Sequence, residues 1–108
     1  MIITVEEGIN HMVLSMDEII NAICLHTAER TGVRPTDVQV ELSWDEEYGY
    51  TGEIWVNGRS RYIVELNIIE AIMQYVYREY GIRAFRDDIT LDLDEEITAI
   101  IQEPEQAY

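Results

Sequence analysis

The chain has 108 residues, 47% of them hydrophobic, and 22 Asp and Glu against 7 basic residues, for a formal net charge of −15. That size and apolar content suit one globular domain and exclude a disordered chain. Every basic residue is an arginine, which excludes a Schiff-base or phosphate-loop lysine, and the negative field disfavours nucleic acid and anionic membrane surfaces.

Along the chain, Val5-Glu6-Glu7-Gly8 can be encoded by a purine-rich stretch resembling a bacterial ribosome-binding site, three codons before Met12. The expectation is that translation begins at Met12 and that residues 1–11 are a misassigned start. Alternatively, Ile2–Val5 form a short edge strand. Ser15 followed by Glu18 reads as a capping box, with Asp17 and Glu18 in the first turn of a helix. Met16, Ile19, Ile20, Ile23, Thr27 and Ala28 fall on one face of it, and Gly32 is its natural end. Val38, Val40, Leu42 and Trp44 alternate with polar residues as in a half-buried strand. A second strand is expected over residues 50–56, and Asn57-Gly58 signals a hairpin to a third over 59–66. Asn67 and Glu70 read as a second capping box, opening a helix that Gly81 closes. Ile89, Leu91 and Leu93 mark a fourth strand, an acidic turn follows, and a last strand spans residues 97–102.

Two stretches of this order are alike. Ile20–Arg34 and Ile69–Arg83 align without gaps at Ile20/Ile69, Ala22/Ala71, Ile23/Ile72, Gly32/Gly81 and Arg34/Arg83. Asp45-Glu46-Glu47 recurs as Asp94-Glu95-Glu96, and Asp37-Val38 matches Asp88-Ile89 two residues out of step. The expected fold is therefore α+β, in the order α-β-β-β-α-β-β. It is an α-β-β pseudo-repeat in which one copy gains a strand, with an antiparallel sheet carrying both helices on one face. Residues 1–15 are an N-terminal extension, 16–103 a single domain and 104–108 a tail.

The segment Glu18-Ile19-Ile20-Asn21-Ala22-Ile23-Cys24-Leu25-His26, followed by Asp37-Val38-Gln39-Val40-Glu41-Leu42, resembles the small YxcD-like family of Bacillus-type bacteria. The resemblance covers residues 16–102. It implies a small cytoplasmic α+β protein and carries no functional residues over.

Candidate chemistry is sparse. Cys24 and His26 are two apart on a helix and point away from each other, so they do not form a nucleophile–base pair. A lone cysteine also excludes an internal disulfide and a cysteine-rich zinc site, and no apolar run is long enough to span a membrane. A cytoplasmic protein fits. His26 and Glu29 have the spacing of a helical metal-ligand pair, but two ligands do not make a site. The acidic clusters lack the spacing and glycine of an EF-hand loop. There is no GxSxG, HExxH, GxGxxG or GxxxxGK[ST] pattern. No catalytic residue, metal ligand or cofactor is expected.

The sheet face away from the helices holds more promise. Alternation sends Trp55, Ile63 and Ile100 outward, beside Glu41, Glu53, Arg61, Glu65 and Asp92. An apolar centre with a charged rim is the pattern of an interface, unless Trp55 packs locally on the stem of Arg61. The expected function is a non-enzymatic interaction module forming a homodimer through this face or a free sheet edge. Two alternatives are an acidic decoy of nucleic acid that binds a basic protein, and a small metal-dependent hydrolase using His26.

Overall fold

The computed structural model describes residues 10–103. The strand expected at Ile2–Val5 and the tail from Pro104 lie outside these residues, as does most of the stretch on which the start-site expectation bears. In chain order the elements are β1 (Asn10–Leu14), α1 (Met16–Thr31), a 3₁₀ turn (Pro35–Asp37), β2 (Val38–Asp45), β3 (Gly49–Val56), β4 (Arg59–Val64), α2 (Glu65–Tyr80), a second 3₁₀ turn (Arg86–Asp88), β5 (Ile89–Leu93) and β6 (Ile97–Glu103). The fold is α+β, and every strand pair is antiparallel.

The strands divide between two three-stranded sheets, β1–β6–β5 and β2–β3–β4. The strand that sequence makes extra, β4, has a counterpart in β1. Each runs straight into a helix, so the order β, α, 3₁₀ turn, β, β occurs twice. Each sheet takes a hairpin from one half and a lead strand from the other. Neither half can complete its own sheet, which ties the two halves into one body.

Local chemistry explains the element ends. The Ser15 hydroxyl accepts from the Glu18 amide at 3.2 Å, satisfying one of the open donors at the start of α1. Another of them, the Met16 amide, donates at 3.2 Å to the Glu96 carboxylate from across the chain. Gly32 and Gly81 end the two helices in the left-handed region, at φ 76° and 69°. The two 3₁₀ turns are closed alike: the Asp37 carboxylate accepts from the Arg34 amide, and the Asp88 carboxylate from the Phe85 amide.

The second capping expectation needs correction. α2 starts at Glu65, and Asn67 is its third residue, its Oδ1 accepting from the Val64 amide at 3.0 Å. The side chain reaches back across the first turn instead of standing before it.

The register of β4 also differs from expectation. Asn57 and Gly58, both at positive φ, make a two-residue hairpin turn that sets Arg59 opposite Val56. Arg61 then faces Ile54, and Ile63 faces Gly52. Val56 and Ile54 are on the helix side, so Ile63 and Arg61 are as well. Ile63 is 4% exposed, and a Cβ built on Gly52 would stand 3.2 Å from its Cγ1. The glycine leaves the room that Ile63 fills. Val64 and Leu66 are exposed, at 55% and 43%.

The helices pack on each other and against both sheets. Leu14, Ile19, Ile23, Ile54, Ile68, Ile72, Val76 and Ile101 are the buried centre.

Candidate functional site

Parity distributes the sequence candidates over different surfaces. On the outer face of β2–β3–β4, the register aligns Gln39, Trp55 and Ser60 in one row and Glu41, Glu53 and Tyr62 in the next. A third row holds Ser43, Thr51 and Val64. Trp55, Glu41 and Glu53 therefore stand together as expected. Ile63 and Arg61 are on the opposite face, so Trp55 does not pack on the stem of Arg61. Ile100 points outward too, but from the other sheet, between Val13 and Thr90, and Asp92 shares that second face. Glu65 is the first residue of α2, just past the end of β4.

Two further residues, Tyr62 and Val64, complete the face. Tyr62 is 73% exposed and stands diagonal to Trp55, within reach of its ring. Val64 continues the apolar line. The signal for both was the two-residue turn at Asn57-Gly58, which decides which residues of β4 share a face with Trp55. Glu41 and Glu53 sit directly opposite on neighbouring strands with no cation between them on that face, an unfavourable arrangement for like charges.

The interhelical groove gathers the other candidates. His26 Nδ1 lies 2.6 Å from Gln74 Oε1, Gln74 Nε2 donates to Glu29 at 3.0 Å, and Arg78 pairs with Glu29 at 2.8 Å. Because the Gln74 amide nitrogen must donate to a carboxylate, its oxygen faces the histidine, and Nδ1 carries the proton that bridges them. Arg78 holds the Glu29 carboxyl below the ordinary carboxylate range, chiefly through its hydrogen bond. Sequence reasoning found His26 and Glu29 as a pair but missed Gln74, which lies between them. Two of these three links engage Glu29, one at each carboxylate oxygen, from Gln74 and from Arg78. Among the described residues no three His, Cys, Asp or Glu side chains converge to hold a metal ion.

The acidic turns are used by the backbone. Asp45 Oδ1 accepts from the Glu47 and Tyr48 amides at 2.8 and 2.7 Å. Cys24 Sγ lies 3.5 Å from the Val38 carbonyl oxygen, and burial pushes its thiol up, away from the reactive thiolate.

A tyrosine pair marks the far end of the helix packing. Tyr80 donates to Glu18 at 2.6 Å and Tyr75 donates to the same oxygen at 3.3 Å, with their rings edge to face. The hydrogen bond to Glu18 pushes Tyr80 up to about 12. A raised folded value means that this contact contributes stability below the ordinary tyrosine range near about 10. The contribution is lost as pH rises through the folded value. Glu18→Gln should move the raised tyrosine transition in an ultraviolet titration back toward the ordinary range. An unchanged transition would show that Glu18 does not set it.

A family model described as "Protein of unknown function (DUF2653)" matches residues 9–96. The chain is 28% identical over 81 residues to "Uncharacterized protein YxcD" of Bacillus subtilis (strain 168), covering 74% of this chain and 76% of that one. No solved structure matches. No helix among the described residues is long and apolar enough to cross a membrane.

Proposed function

We propose, on the premise that the chain belongs to the DUF2653 family of proteins of unknown function, that it is a small cytoplasmic, non-enzymatic interaction module working as a homodimer. The observation that carries this reading is the outer edge of β4, which pairs with no other strand among the described residues and displays Tyr62 at 73% exposure.

Hydrogen-bond parity supports the edge as the contact. Residues flanking a two-residue hairpin turn exchange both backbone bonds, and the pattern alternates from there. Arg59, Arg61 and Ile63 therefore bond to β3, while Ser60, Tyr62 and Val64 turn their amides outward. The Val64 amide is already satisfied by Asn67. Ser60 and Tyr62 are left to pair with another strand.

The charge on the outer face argues against stacking two copies face to face, because that would bring two Glu41–Glu53 pairs together. Edge pairing avoids it. An antiparallel β4–β4 contact centred on Tyr62 sets Arg59 opposite Glu65 of the second copy and Ser60 opposite its Val64. This is a self-complementary arrangement, as a two-fold interface requires. The apolar line of Trp55, Tyr62 and Val64 then runs across the contact over the four inner strands, β3 and β4 of each copy.

Two bodies of −15 each repel at long range, so the dimer should tighten as salt screens them. Sedimentation equilibrium of the full chain at low and moderate ionic strength tests this. A dimer that strengthens with salt is expected; a monomer at all concentrations overturns it.

The adjacent Glu41 and Glu53 favour one second reading, capture of a basic protein by the same face. Its salt dependence has the opposite sign, since attraction weakens on screening.

A further inference from the structure

Where α1, α2 and the helix-facing side of β3–β4 meet, they border an open cavity of about 230 Å³. Arg30 of α1 and Arg61 of β4 both line it, with the buried Ile54 and Ile63, the polar His26 and Thr27 of α1, and the exposed Asn67 and Glu70 of α2. The hairpin register brings Arg61 here, because it shares the helix-facing side with Ile63.

The arginines of this chain are unevenly used. Arg34 and Arg78 pair with carboxylates of their own chain, at 3.5 and 2.8 Å. Among the described residues Arg30 and Arg61 have no ion pair and no side-chain hydrogen bond, although 22 carboxylates compete for 7 cations. Arg83 lines the hollow next to this cavity, which shares Arg30 and Glu70 with it, and Arg59 lines another that shares Arg61. Arg30 and Arg61, both exposed, thus border this cavity, with Arg83, which lies over the Tyr77 ring, and Arg59 on the hollows beside it. The unpaired forks of Arg30 and Arg61 match the planar or tetrahedral geometry of an oxyanion.

We propose that this cavity binds the oxyanion group of a small organic molecule, a carboxylate or a phosphate, clamped between Arg30 and Arg61. Ile54 and Ile63 take the carbon skeleton. Glu70 shares the cavity without pairing to either arginine, so it faces a hydrogen-bond donor on the ligand and repels surplus negative charge. The clamp is built within a single chain and does not depend on dimerisation.

The test is a nuclear magnetic resonance titration of the isotopically labelled full chain with inorganic phosphate and, separately, with succinate. Saturable shifts at Thr27, Asn67 and Ala71 are expected with at least one anion: a response to phosphate alone assigns a phosphoryl ligand, to succinate alone a carboxylate one. Arg30→Gln and Arg61→Gln should each weaken binding by about tenfold or more, as loss of a charge-assisted bidentate contact does. Glu70→Gln should strengthen it. Arg61→Lys, which keeps the charge and loses the fork, should fall between wild type and Arg61→Gln. The proposal is overturned if neither anion gives saturable shifts into the tens of millimolar, or if the glutamine variants at Arg30 and Arg61 bind as wild type does. Sedimentation on the same samples reads the dimer separately, so the two can fail independently.

Discussion

Replacing Leu14 with alanine should lower the free energy of unfolding by about 3–4 kcal/mol, the largest loss expected from any single truncation near the start of the described chain. Leu14 is 0% exposed and sits on the inner face of β1, opposite Ala99. The small Ala99 side chain cannot move in to fill the vacated space. The other neighbours on that side, Ile19 and Ile101, belong to regular elements whose backbones are held by their own hydrogen bonds. The site therefore cannot collapse, and the cavity cost adds to the lost transfer energy. Against a total stability of about 5–15 kcal/mol for a typical domain, the loss is severe. Val13→Ala is the matched control. Val13 is 58% exposed on the outer face, one residue away, and its truncation should stay within about 0.5 kcal/mol. Urea unfolding with an unchanged slope would give both values. Equal effects at the two positions would mean that β1 does not pack on the core as described.

Much of this fold is legible in the residues. The helix ends follow from Ser15, Gly32 and Gly81, whose chemistry is local and whose roles do not depend on what packs nearby. The recurrence of Asp37-Val38 as Asp88-Ile89 reports a real structural equivalence, since both aspartates close a 3₁₀ turn onto the residue three before them. β1 was harder to see. Its outward Val13 and inward Leu14 give five residues no amphipathic contrast, and its partner β6 lies at the other end of the chain. A lead strand exchanged between halves leaves no mark in local sequence.

The outer face was only half legible. Trp55, Glu41 and Glu53 followed from alternation along strands with many inward apolar residues. In β4 the alternation is misleading, because arginines occupy inward positions and Tyr62 and Val64 outward ones. Turn geometry, not hydrophobicity, sets the parity there. Two residues between Val56 and Arg59 suffice to turn Ile63 inward and Tyr62 outward. Gln74 was illegible for another reason. Its hydrogen bonds to His26 and Glu29 span the helix crossing, and no spacing within one helix encodes a partner on another.

The same parity makes a sharp prediction about proline. Tyr62→Pro should abolish dimerisation while leaving the monomer folded, and Arg61→Pro should do damage of a different kind. The Arg61 amide faces Ile54 in a hydrogen-bonded pair of the β3–β4 ladder, so proline there removes a bond that the hairpin needs and should cost about 2–3 kcal/mol of folding stability. The Tyr62 amide faces outward, where proline is tolerated on an edge strand and costs about 1 kcal/mol or less. In a β4–β4 contact centred on Tyr62, the two-fold makes each Tyr62 amide bond to the carbonyl of the other copy. One substitution then deletes two hydrogen bonds and leaves two carbonyls unpaired, which at about 1–2 kcal/mol for each lost bond weakens association by about thirtyfold to a thousandfold. Tyr62→Phe keeps the backbone donors and most of the ring, and should dimerise almost as wild type does. Sedimentation of the three variants with thermal melting of each separates edge pairing from stability. If Tyr62→Pro sediments as a dimer of wild-type strength, the copies do not meet through β4, and the outer edge of that strand has some other occupant.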